Sequence, residues 1–229
     1  MCPNWSAFPE ITQRMLFNSL EFLLLFLPVA LATAWWTKGT LRLLAICASS
    51  WFFYAYTGEA WYLAPLIFSS VLDFSISSLL PRVDSVARRR ALLALSMCGN
   101  LGLLVYFKYW SLILESVSPL IALISGRAAD PDAAVAEVLL PAGISFYTFQ
   151  TMSYTVDVYR RRLTPAKSFL EYLAYVSFFP QLVAGPIARY SELGEQFTSA
   201  RKGETRPAWQ TGVGLFAVGL CKKVLIADR

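Results

Sequence analysis

The chain has 229 residues, 56% of them hydrophobic and 15% charged, with a net charge of +5 and no histidine. Its mean hydropathy is +0.50, and the apolar residues fall in runs near bilayer length separated by short basic patches, which excludes an ordinary soluble domain and predicts an all-α polytopic transmembrane protein with broken or re-entrant segments. The Lys and Arg residues sit at the ends of apolar runs, where they read as topology markers and headgroup anchors. A nucleic-acid partner is therefore excluded, and the lipid bilayer is the first partner expected.

In chain order, residues 1–14 form a polar extension without the basic start or cleavage site of a secretory signal, and Met15, which opens the first apolar run, is a candidate internal start for the unit spanning 15–229. The first apolar run, 16–36, contains Pro28 and ends in the interfacial pair Trp35 and Trp36. The second, 41–56, closes in an aromatic belt. The third, 61–80, carries Pro65 and Asp73, and the fourth, 91–107, follows the dense basic loop of Arg82, Arg88, Arg89 and Arg90. By the positive-inside rule that loop is cytoplasmic, which puts the amino terminus outside. Residues 110–124 are apolar but interrupted by Glu115 and Pro119. They read either as a further span or as a helix lying in the interface. The interfacial reading is preferred, because it leaves Asp130, Asp132 and Glu137 outside and Arg160, Arg161 and Arg162 inside.

Residues 139–162, LLPAGISFYTFQTMSYTVDVYRRR, organise the chain, being long enough to span yet loaded with groups that lipid rejects. Thr148, Thr151, Tyr154, Thr155 and Asp157 recur at spacings near three and four, which gathers them on one side of a helix. That side is expected to face protein or a wet cavity. The next apolar stretch, 168–187, is interrupted by Pro180, Gln181, Gly185 and Pro186, so a helix stopping at Phe179 and continuing as enclosed irregular backbone is expected. Gln150, Tyr154 and Asp157 are placed to hydrogen-bond a polar head group or acceptor, and Gln181 with the backbone of residues 184–186 to shape a neck. Equally, these groups can satisfy one another between packed helices, and sequence pattern leaves both readings open. After a polar loop over 190–207 comes a last run, 209–226, in which Gly212, Gly214 and Gly219 permit close helix contact.

Other candidates are weaker. Asp73, an intramembrane carboxylate among serines, is a functional candidate, but Ser69, Ser70 or Ser77 one turn away can satisfy it. The basic rims at 88–90 and 160–162 mark topology and can also attract an anionic cytoplasmic donor. Ser145 lies in GISFY, which is not a hydrolase elbow. Cys2, Cys47, Cys98 and Cys221 lack ligand spacing and read as small hydrophobes, so no metal site is expected. Without histidine, neither imidazole catalysis nor a His-ligated metal is available within the chain.

Three motifs, LPAGISFYTFQTMSYTVDVYR, SFFPQLVAGPIAR and GLCKKVLIADR, in that order and preceded by MLFNSLEFLLLFLPVAL, resemble the membrane-bound O-acyltransferases, specifically the bacterial alginate O-acetyltransferase branch. The resemblance covers residues 15–229. It implies a multi-helix enzyme of the bacterial inner membrane whose tunnel passes an acetyl group outward for O-acetylation of an exported polysaccharide such as alginate. Acetyl-CoA or another activated acyl carrier is the implied co-substrate, with no bound cofactor, and periplasmic polysaccharide-acetylation proteins are the implied partners. It supports a substrate-tunnel role for Gln150, Asp157, Gln181 and Gly185, to which Ser145, Tyr154 and Pro186 are added as expected tunnel residues, and it assigns no catalytic residue to this chain. The family's signature histidine stands in a later WRRWH-like segment absent here, so the resemblance implies the amino-terminal part of such an enzyme, inactive alone. The related branch that delivers D-alanine to teichoic acid is one alternative, and a non-enzymatic transporter or scaffold subunit built on broken helices is another.

Overall fold

The computed structural model describes residues 19–57, 60–110, 112–113, 116–117, 141, 143–182, 188–203 and 208–227. The extension at 1–14, most of residues 110–124, Asp130, Asp132, Glu137, Gly185 and Pro186 lie outside these residues. All regular structure among the described residues is helical, as the run lengths predict.

A π-helical turn, Phe22–Phe26, leads into α1 (Leu27–Trp36), and this widened turn precedes Pro28, whose ring nitrogen cannot donate to the ladder. The chain reverses at Gly39, with φ 60°, into α2 (Thr40–Thr57), which lies against α1. Phe26 holds the pair together, 5.4 Å from Phe53 and 5.1 Å from Phe179 between ring centroids. α3 (Leu63–Leu79) starts with Pro65 near its amino end, where a missing N–H is harmless. It is extended at both ends by 3₁₀ turns, and α4 (Val86–Leu104) by a π turn through Tyr109. The resulting helices, Ala60–Arg82 of 23 residues and Val86–Tyr109 of 24, are long and apolar enough to cross a bilayer.

α5 (Ile144–Tyr159) is shorter than the run containing it. Gly143 takes the left-handed conformation at φ 75°, and the Ile144 N–H turns back to the Pro141 carbonyl, so helix begins only there. Its other end is a Schellman motif: the Arg162 N–H bonds the Asp157 carbonyl and the Arg161 N–H the Val158 carbonyl, each at 3.0 Å. Glycine normally occupies the left-handed position of this motif, yet here it is Arg161 at φ 58°.

α6 (Phe169–Val176) ends three residues earlier than the sequence suggests. The Ser177 hydroxyl bonds the Leu173 carbonyl at 2.6 Å, and helix resumes for one turn as α7 (Phe179–Leu182), with Pro180 inside that turn. The expected stop at Phe179 is therefore corrected: the break precedes Phe179, whose N–H leaves the helical ladder for the Ser50 hydroxyl of α2 at 3.1 Å. α8 (Tyr190–Lys202) packs on α6 and α2, fixed by Arg201 Nε donating at 2.5 Å to Glu171, a carboxylate with no exposed surface. α9 (Trp209–Lys222), continued by a π turn Lys223–Ala227, buries none of its residues and touches α1 through Trp35 and Trp209, 5.3 Å apart. Gly212, Gly214 and Gly219 meet nothing within 4 Å, so the close helix contact expected of them is not made among the described residues.

Charge is sorted along this bundle. Arg89 bonds the Tyr159 carbonyl, Arg162 and Lys167 share a cavity wall with Lys202, and Gly39 approaches the Arg201 carbonyl. The basic turns after α1, between α3 and α4, after α5 and at the end of α8 thus lie at one end. Lys108, which meets Ser145, and Lys222 and Lys223, where α9 ends beside Phe22, lie at the other.

Candidate functional site

α5 packs against both α3 and α4. Its threonine face enters a buried polar network with no exposed member. Asp73 accepts from Ser96 at one carboxylate oxygen and from the Asn100 amide at the other, at 2.8 Å. The Asn100 carbonyl oxygen accepts from Ser69 at 2.5 Å and from Thr151 at 3.4 Å, and Ser69 and Thr151 are themselves 3.0 Å apart. One turn further on, Ser77 donates to Thr155 at 3.4 Å. The serines of α3 were the expected partners of Asp73, and that expectation is corrected. Its partners come from α4, because the carboxylate points across the interface while Ser70 turns back to the Leu66 carbonyl of its own helix. Ser96 and Asn100 were not singled out in the sequence; their spacing of four in an otherwise apolar run was the available signal.

The tunnel candidates fall in three places. Gln150 and Gln181 meet at one atom, the Tyr175 carbonyl, at 3.3 and 2.6 Å. That carbonyl has lost its helical donor, because the Phe179 N–H has gone to Ser50, and the two carboxamides replace it. Gln150 is only 3% exposed, and half-buried Asp157 is the more open of the two. Tyr154 belongs to a cluster with Tyr172 at 4.5 Å and Tyr190 at 5.0 Å, and its hydroxyl accepts the Ala166 N–H at 2.9 Å, tying the loop after α5 to the core. Ser145, in the first turn of α5, accepts from Lys108 Nζ at 3.3 Å. The remaining candidates, Gly185 and Pro186, lie outside the described residues.

On α5, α6 and α7 several polar atoms are buried without a hydrogen-bond partner among the described residues: the Gln181 carbonyl oxygen, the Tyr147 and Tyr172 hydroxyls, and the Thr148 hydroxyl. Each such group costs about 1–3 kcal/mol if left unmet. Outside the apolar helices, burial pushes the Tyr190 phenol above its ordinary value, with nearby Tyr154 and Glu171 adding to the effect.

Two cavities adjoin this core. One, of about 620 Å³, is almost wholly apolar and lies between α1, α2, α7 and α9, lined by Phe22, Ala30, Phe178, Pro180, Phe216 and Gly219 among others. The second, of about 540 Å³, opens at the basic end between the loop after α5 and α8. No cluster of three or more His, Cys, Asp or Glu able to hold a metal occurs among the described residues. What the arrangement offers chemically is hydroxyl, phenol and carboxamide hydrogen bonding in an apolar frame, without an imidazole base.

Residues 103–229 match the model of the membrane-bound O-acyltransferase family. The chain belongs to that family. Among curated relatives it is similar to the probable alginate O-acetylase AlgI of Azotobacter vinelandii, 33% identical over 93% of this chain and 42% of that protein. It is similar also to the probable alginate O-acetylase AlgI of Pseudomonas aeruginosa, 34% identical over 93% of this chain and 40% of that protein. A peptidoglycan O-acetyltransferase of Helicobacter pylori is 30% identical over 94% of this chain and 45% of its own length. The chain thus spans about two fifths of the length of the curated relatives it matches. No solved structure matches it significantly. The family match begins within α4 and takes in α5 to α9, so both glutamines and the hydroxyls of α5 lie within it; Asp73 lies before it, in the stretch shared with the curated relatives.

Proposed function

We propose that this chain forms part of a multi-pass O-acyltransferase of the bacterial inner membrane, which moves an acetyl group outward for O-acetylation of an exported polysaccharide such as alginate. The observation that carries this reading is the match of 93% of the chain to probable alginate O-acetylases, with a peptidoglycan O-acetyltransferase in the same set. The four basic turns at one end, against Lys108, Lys222 and Lys223 at the other, support a cytoplasmic basic end. Acetyl-CoA or another activated acyl carrier would approach there, and periplasmic polysaccharide-acetylation proteins would take over at the far side. In this reading Ser145, Gln150, Tyr154, Asp157, Gln181, Gly185 and Pro186 belong to the wall of the conduit.

Acyl transfer needs a general base or nucleophile, and with no histidine the hydroxyls and carboxamides of this chain bind and orient without activating. Deleting the encoding locus in the native bacterium and measuring ester content of the exported polysaccharides by NMR tests the reading. Loss of O-acetyl ester is expected. Unchanged acetylation overturns it, loss of D-alanyl ester instead points to the teichoic-acid branch, and loss of export with esters intact points to a transporter or scaffold.

A further inference from the structure

A smaller cavity, about 310 Å³, lies at the basic end where α3 and α5 finish and α4 begins, and three arginines, Arg89, Arg161 and Arg162, share its wall with Pro81, Val158, Leu163, Thr164 and Pro165. Arg89 is 8% exposed. Its guanidinium donates to the carbonyls of Tyr159, at 2.6 Å, and Leu80, at 3.5 Å, and lies 5.4 Å from the Tyr159 ring centroid. These contacts aim the group without neutralising it, and the ion pair recorded among the described residues, Arg201 with Glu171, is on other helices. A buried cation without an anion is unfavourable, so the cavity is electrostatically incomplete. Arg161 adds an independent observation: it occupies the left-handed position of the Schellman motif, where glycine is at ease, and so places a guanidinium on the cavity wall at the expense of backbone strain.

Depth identifies the anion. The cavity sits at the ends of the two helices that are long and apolar enough to cross a bilayer, and exposed Leu79 and Val86 flank it in the chain. A phosphate there is level with lipid headgroups, with acyl chains able to run down the apolar helix faces. We propose that Arg89, Arg161 and Arg162 form a binding site for the phosphodiester headgroup of an anionic glycerophospholipid from the cytoplasmic leaflet, distinct from any acyl donor. The site rests on the membrane placement argued above, and its test separates the two.

The purified 229-residue protein in detergent is titrated with phosphatidylglycerol, phosphatidylcholine or inorganic phosphate, and bound lipid is counted by native mass spectrometry alongside the melting temperature. Wild type is expected to retain one phosphatidylglycerol at least tenfold more strongly than phosphatidylcholine, with a raised melting temperature and with retention weakened by high salt. The double variant Arg161→Gly, Arg162→Gln should lose that preference while melting at or above the wild-type temperature without lipid, since glycine suits the left-handed position. Arg160→Gln, in the same turn but off the cavity wall, should keep it. Equal retention of both lipids, a double variant that still prefers phosphatidylglycerol, or phosphate bound by wild type with no preference among lipids overturns the site. A chain that does not enter membranes at all would instead overturn the membrane placement.

Discussion

Asp73 has both carboxylate oxygens engaged by donors from α4, Asn100 in turn receives Ser69 and Thr151, and the whole set is sealed from solvent. Such a carboxylate works as a three-helix junction. Interhelical hydrogen bonds among apolar helices average about 0.6 kcal/mol in double-mutant cycles, whereas an orphaned buried group costs about 1–3 kcal/mol. Asp73→Ala or Asn100→Ala alone should therefore destabilise by roughly 2 kcal/mol, and the double variant by less than the sum, with a coupling of about 1 kcal/mol. Thermal unfolding of the four proteins in one detergent measures this. Strict additivity would show that the two side chains do not meet. Glu171 repeats the lesson at another interface: a lone acid in an apolar stretch, legible as odd in the sequence, finds Arg201 thirty positions away only once α8 lies on α6.

At the scale of elements, the lone glycine of α8, Gly194, and the glycines of α9 have opposite meanings. A methyl added at Gly194 would fall 2.5 Å from a ring atom of Tyr190, which is pinned among Tyr154, Tyr172 and Tyr175, while one at Gly212 meets nothing within 4 Å. Gly194→Ala should cost about 1–3 kcal/mol by displacing the tyrosine cluster. Gly212→Ala should stabilise by up to about 1 kcal/mol through helix propensity alone. Circular dichroism melts of both variants decide the matter, and a destabilising Gly212→Ala would reveal a partner seated on α9. The sequence shows where helix is interrupted around Gly143 and Pro180, because those residues act locally on φ and on the hydrogen-bond ladder. It does not show that α6 ends at Val176, since that end is decided by a hydroxyl from α2 capturing the Phe179 N–H.

For the molecule as a whole, an apolar outer surface surrounds a polar seam, and the basic turns gather at one end. With no histidine in the chain, the isolated 229-residue protein should show no acetyl transfer from acetyl-CoA to polysaccharide above background, measured by radiolabel incorporation in reconstituted vesicles. Ordinary turnover would mean that another residue supplies the base. All-helical class, the polar side of α5, the basic end and the O-acyltransferase resemblance were all readable along the chain, because run length, hydroxyl spacing and motif order are properties of neighbours in sequence. Which polar group meets which was not. Asp73 joins Ser96 and Asn100 rather than its own helical neighbours, Gln150 and Gln181 converge on one carbonyl, and Arg89 faces Arg161 and Arg162 across a cavity. Those pairings depend on the lateral order and rotation of helices, set by the packing of many side chains at once, and only the tertiary structure decides them.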